Sequence, residues 1–159
     1  MSINHTMHRL ETKIPPPVVM VLLGLAAFAV TRLMPGFAFS LPRHAPVALV
    51  LACAGVALNG LPKLAFKRVG TTVNPLRPSL ATQLITGGVY RYSRNPMYVG
   101  HAAMLLGWTL YLHHAMALLA VPLFVLYVTR FQIKPEERQL ALRFPGVYAD
   151  FCARVRRWL

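Results

Sequence analysis

Acidic side chains are nearly missing from this sequence. Its 159 residues include 4 Asp and Glu against 17 Lys and Arg, a formal net charge of +13. Charge of either sign is scarce, at 13% of residues, roughly half the 25% or so of an ordinary soluble domain. Two readings that a basic chain invites are thereby excluded. A nucleic-acid-binding domain carries its basic face on a soluble, charge-rich surface. A disordered basic tail lacks apolar content, which here reaches 56%. Cysteine is also scarce: Cys53 and Cys152 form no CxxC pair, so neither a disulfide framework nor a zinc site is indicated. No internal repeat or low-complexity segment stands out. What is abundant is uncharged apolar sequence, with mean hydropathy +0.50, and that points to a membrane.

Four runs are long and apolar enough to span: 18–34, 45–61, 97–112 and 115–131. Each covers roughly 25 Å as a helix, the short end of what crosses a hydrocarbon core of about 30 Å. Charge placement supplies an independent criterion. Arg9 and Lys13 lie on the N-terminal arm, whereas the connection after the first run carries only Arg43 and the His113-His114 turn no Lys or Arg. The 62–96 connection carries Lys63, Lys67, Arg68, Arg77, Arg91 and Arg94, and the 132–159 tail Lys134, Arg138, Arg143, Arg154, Arg156 and Arg157. Four crossings put the arm, the second connection and the tail on one side, which the positive-inside rule makes cytoplasmic. The expected architecture is therefore an all-α, single-domain integral membrane protein of about four transmembrane helices, residues 1–159, with both termini cytoplasmic. The first run has no compact basic region before it and no A-x-A site after it, so it reads as a retained anchor.

Two cytoplasmic stretches hold the chemistry. The 62–96 connection is punctuated by Gly70, Asn74-Pro75, Arg77-Pro78 and Gly87-Gly88, and is long enough to suspect function. It ends in Asn95-Pro96, a favoured N-cap followed by a favoured first helical residue. A helix start flanked by Arg91 and Arg94 suits a carboxylate or phosphate, although arginines there also snorkel to lipid head groups. The second stretch, Lys134-Pro135-Glu136-Glu137-Arg138, holds half of the protein's acids side by side. Pro135 at a helix start would put both in a first turn, where they favour the helix dipole. A carboxylate at a membrane boundary is costly and is also what a ligand ammonium seeks. A cationic and an anionic side together suit a zwitterion.

Beyond Glu136 the apolar residues Leu140, Phe144, Tyr148, Phe151, Val155 and Trp158 share one helical face, broken at Pro145-Gly146, with arginines around them. This predicts a C-terminal tail of amphipathic interfacial helices on the inner leaflet. Other polar residues carry weaker signals. His113-His114 has no acidic or Cys partner for a metal, Asn59 reads as interhelical glue, and Trp108, Tyr111 and Trp158 read as aromatic belt. His101, inside the third run, either packs or faces a polar pocket.

The run Leu84-Ile85-Thr86-Gly87-Gly88-Val89-Tyr90, then Arg94-Asn95-Pro96-Met97-Tyr98-Val99-Gly100, then Glu136-Glu137 with Phe144, Tyr148 and Arg154, resembles the isoprenylcysteine carboxyl methyltransferase family, itself related to the membrane phospholipid N-methyltransferases. The resemblance covers about residues 70–159. It implies a helical membrane enzyme without a Rossmann domain that transfers a methyl group from S-adenosylmethionine to an amphipathic or membrane-embedded carboxylate, amine or thiol. It further implies that Thr82, Gln83, Leu84, Ile85, Tyr90, Arg94, Asn95, Pro96, Met97 and Tyr98 wrap the cofactor and that Glu136 closes it from the tail. Arg130 is then a substrate anchor, and Glu137 or His101 would serve where the nucleophile needs a base. Asn95 stands where the motif often has His, so this position binds without acting as a base; Gly146 is shifted by one against the family's tail pattern. The implied setting is a bacterial inner membrane with the site facing the cytoplasm, lipid as partner, and neither metal nor nucleic acid. The alternatives are a non-catalytic small membrane protein and a nicotinamide-dependent membrane reductase of related fold.

Overall fold

A computed structural model describes residues 11–40, 42, 44–69 and 84–159, the last five of 44–69 by backbone alone. The described residues form helices and one isolated bridge, Ala38 with His114, but no strand. Helix α1, Pro16–Leu33, starts on prolines whose missing N–H groups cost nothing at a helix N-terminus. Helix α2 is His44–Val69, and α3 is Pro96–Tyr111. A 3-10 turn, Ala115–Leu119, leads into α4, Ala120–Val128, which passes through a π-helical turn, Thr129–Ile133, into α5, Lys134–Arg143. Helix α6, Pro145–Arg154, follows.

Three helical stretches are long and apolar enough to cross a membrane: Pro16–Leu33, His44–Leu64 and Ala115–Arg143. The fourth expected crossing, α3, has 16 residues and falls short of that length. It is the central helix, burying Tyr98, Val99, Gly100, His101, Leu105, Gly107 and Thr109. Only 17% of the apolar windows of α1 and α2 is buried. Val21, Leu22, Leu25, Leu49, Val50 and Val56 face outward, an apolar surface that water would penalise and lipid would not.

Small residues bring α2 and α3 together. A Cβ on Gly100 would lie 2.6 Å from the Gly55 carbonyl oxygen, and one on Gly107 would lie 2.8 Å from that of Ala48. Such contacts let two backbones approach and gain dispersion energy where no hydrophobic effect drives helices together. On the other side Trp108 donates its indole N–H to the Gly24 carbonyl at 2.9 Å, tying α3 to α1.

The two ends of the bundle differ. At one, Phe39 N–H donates to the His113 carbonyl at 2.9 Å and His114 Nε2 contacts the Met34 carbonyl at 2.8 Å, joining the two short connections. At the other, Thr12 N–H donates to the Phe131 carbonyl at 2.9 Å, and Glu11 pairs with Arg130 and Arg138. The N-terminal arm thus meets the segment carrying Glu136-Glu137.

Three local expectations change. Helix α2 does not stop at the expected span end but runs through Pro62 to Val69; Pro62 is fully buried, and a helix packed in neighbours tolerates the lost backbone bond. No fresh helix starts at Pro135: α4 continues through the π turn, so the glutamates follow a register shift and not a free N-terminus. The apolar face of the tail does not lie open to a leaflet. Leu140, Phe144, Tyr148, Phe151 and Val155 pack on Leu84, Ile85, Val89 and Tyr90, while Trp158 turns to the main core.

Candidate functional site

The site begins with a short loop made possible by glycine. Gly88 has φ +62, a left-handed conformation that strains other residues. It opens the 3-10 turn Gly88–Arg91, which directs Tyr90 inward against Tyr148 and Phe151. Burial pushes the Tyr90 hydroxyl up from its ordinary value, and the nearby Glu136 charge adds to this. Tyr148 shifts upward too, through burial and then Glu137. Both phenols therefore stay neutral, as hydrogen-bonding groups.

Asn95 occupies the N-cap position of α3, with Pro96 following, as its sequence predicts. Its side chain makes no cap bond. Instead its Nδ2 donates to the Arg157 carbonyl at 2.8 Å, while its backbone N–H donates to Ser93 Oγ at 3.0 Å. Arg94 N–H donates to the Arg156 carbonyl at 3.0 Å. The segment after α6 is thus laced across the helix start, and Trp158 fastens it by donating to Thr129 Oγ1 at 3.0 Å.

The glutamates approach the same helix start from α5. A π turn fits one extra residue, which rotates everything after it by roughly 100° about the helix axis. Past that turn, Glu136 Oε1 accepts from the Tyr98 hydroxyl and from Gln132 Nε2, both at 2.7 Å. Both bonds fall on one oxygen. Glu137 is held differently: Arg157 donates to its two oxygens at 3.0 and 2.8 Å, and an Arg94 terminal nitrogen lies 3.4 Å away. That fork raises the Arg157 guanidinium above its usual range. Arg94 also contacts Cys152 Sγ, and its Nε is buried without a hydrogen-bond partner.

The structure therefore brings together Tyr90, Arg94, Asn95, Pro96, Tyr98, Glu136 and Glu137. Leu84 and Ile85 belong to the Tyr90 cluster, and Met97 offers its carbonyl to His101 Nδ1 at 2.7 Å. His101, 8% exposed, is thereby occupied within its own helix. Thr82 and Gln83 lie outside the described residues. Arg130 stands apart from this group, 3.3 Å from Glu11. Asn59 donates to Gly55 of its own helix at 2.9 Å. Among the described residues no group of three or more His, Cys, Asp or Glu could hold a metal.

Sequence reasoning passed over Gln132, Ser93 and Arg157. Gln132, 2% exposed, carried one signal, a polar residue four positions before Glu136 in an apolar run. The Arg157 fork had none, since its partner is 20 residues away.

No solved structure matches this chain. A protein of Haemophilus influenzae described as uncharacterized is 41% identical over 63 residues, covering 40% of this chain and 100% of the relative. The family model described as phospholipid methyltransferase matches residues 43–145, from the start of α2 past the Glu136-Glu137 turn. The chain belongs to the phospholipid methyltransferase family.

Proposed function

We propose that this protein is an S-adenosylmethionine-dependent integral membrane methyltransferase, with a site at the cytoplasmic face that methylates an amphipathic substrate. Membership of the family supports methyl transfer to a lipid-like molecule. The observation that carries the rest is the convergence of Tyr98 and Gln132 on one oxygen of Glu136, together with the buried, unpartnered Nε of Arg94, whose guanidinium pairs with the adjacent Glu137. A carboxylate oxygen outside those two bonds and a buried guanidinium N–H without an acceptor suit the ammonium and carboxylate of the donor's amino acid part. The residues present thus fit the group.

When bound, the cofactor supplies an electrophilic methyl on a sulfonium. The chain's part is to hold, orient and exclude water. Tyr90, Tyr148 and Phe151 give an apolar wall. Tyr98 and Gln132 aim the Glu136 carboxylate. Glu137 holds Arg94 in place and is itself held by Arg157. A carboxylate acceptor would need no base.

The substrate route is an apolar groove of about 650 Å³ between α1 and α4, lined by Val19, Leu22, Leu123, Leu126 and Phe131, with Arg130 on its wall. An apolar chain entering from the bilayer would run along it. Arg130, which pairs with Glu11, is the proposed anchor for a charged group of the substrate other than the one methylated. The test is titration of detergent-solubilised protein with S-adenosylhomocysteine, then incubation of membranes with labelled methyl donor. Binding that weakens in Glu136→Gln, and a labelled lipid-phase product, are expected. Folded protein that ignores S-adenosylhomocysteine, or binds NADPH in its place, refutes the proposal.

A further inference from the structure

A second pocket lies at the loop end of the molecule, lined by Thr86, Gly87, Arg91, Phe151, Arg154 and Val155, with a volume of about 420 Å³. None of these residues is in the Glu136 constellation except through Phe151 and Val155, which also pack in the Tyr90 cluster. The wall is chemically divided. Arg91, at the end of the 3-10 turn, and Arg154, at the end of α6, supply two cations from separate elements. Thr86 adds a hydroxyl, and Phe151 and Val155 add apolar surface. No acid lines the pocket, and among the described residues neither guanidinium is ion-paired. Arg154 Nε donates to the Asp150 carbonyl at 3.2 Å, which fixes the arm and leaves its two terminal nitrogens available. At Gly87 a side chain is absent and a Cβ would meet nothing within 4 Å, so the mouth is open.

From this geometry we infer a binding site for a phosphate ester, its phosphate between Arg91 and Arg154 and its organic part on Phe151 and Val155. Two guanidinium forks and a hydroxyl, arriving from different elements, suit a tetrahedral anion with several acceptor oxygens better than a flat carboxylate. The volume is within the usual range for small-molecule sites. The site stands independently of methyl transfer, because it shares no polar group with the Glu136 cluster.

The test uses the full chain in a phosphate-free, non-ionic detergent. The probes are glycerol 3-phosphate, monomeric dihexanoyl phosphatidylglycerol and, as the phosphate-free counterpart, dihexanoylglycerol. Binding of one or both phosphate esters is expected, with none for dihexanoylglycerol. Binding of both marks a site for free phosphate esters; binding of the lipid alone marks a head-group site. Arg91→Gln and Arg154→Gln should each weaken binding about tenfold, the effect of one lost charge-assisted contact. Thr86→Glu, which brings a carboxylate into the pocket, should abolish it. Size-exclusion profile reports folding, and all three positions lie at the rim, away from the core. Wild-type protein that binds neither phosphate ester, or variants that bind them as well as wild type, overturn the inference.

Discussion

Tyr98→Phe removes a single oxygen from the site and keeps the ring that fills the core, where Tyr98 is 5% exposed. Its hydroxyl gives Glu136 Oε1 a bond of 2.7 Å, and Gln132 Nε2 gives the same oxygen another of equal length. A hydrogen bond to a charged group contributes about 1.5–3 kcal/mol. The remaining Gln132 bond keeps the carboxylate partly satisfied, so the low end applies, about 1.5 kcal/mol, or roughly tenfold in an equilibrium constant. If Tyr98 acts by aiming Glu136 at the cofactor ammonium, S-adenosylhomocysteine affinity should fall by about that factor. Glu136→Gln, which loses the charge and keeps an acceptor for Tyr98, should fall further. The combined variant should bind no worse than Glu136→Gln alone, because the two residues are in contact and act as one unit. Isothermal titration in detergent measures all three. Losses that add in the double variant, or unchanged affinity in Tyr98→Phe, would refute this account of the site.

Other consequences are independent of the cofactor. Gly100→Ala puts a Cβ 2.6 Å from the Gly55 carbonyl oxygen and should destabilise the α2–α3 pair by about 1–3 kcal/mol, read as a lower thermal midpoint in detergent. Gly60→Ala, also in α2 but with nothing within 4 Å of the new Cβ, should be neutral or stabilise by up to about 1 kcal/mol. Gly88→Ala must hold φ +62 with a side chain, costing about 1–2 kcal/mol. Its signature is faster proteolysis at the loop with the bundle intact. Arg157→Ala removes both bonds to Glu137; the pair is partly solvent-screened, so a loss of only about 1 kcal/mol is expected. Faster amide exchange after residue 154, and no change within α3, is the matching readout.

The elements most legible in the sequence were those fixed by composition and neighbours in the chain. Apolar runs over 18–34 and 45–61 became α1 and the first part of α2, since runs of that length with at most one charge, Arg32, leave few alternatives. Asn95-Pro96 marked the start of α3 to the residue, because proline at the first helical position is a local steric preference. The same locality explains the misses. Pro62 and Pro135 look like boundaries to a reader of neighbours, and whether a helix tolerates them depends on what packs around it. The role of the Asn95 side chain was equally hidden. Its acceptor is the Arg157 carbonyl, 62 residues on, which replaces the expected cap bond.

By itself, the sequence determined that this chain is helical and apolar, that its basic residues gather on three segments, and that Glu136-Glu137 and Arg94-Asn95-Pro96 carry its rarest chemistry. Those are matters of counting and spacing, set within a few turns of chain. Only the tertiary structure decided how the two acids divide their tasks. The π turn at Thr129–Ile133 sets the direction of Glu136 toward Tyr98, and the returning C-terminal segment brings Arg157 onto Glu137. Two adjacent identical residues are indistinguishable in a sequence; they become different because side chains one residue apart on a helix point about 100° apart and meet different neighbours.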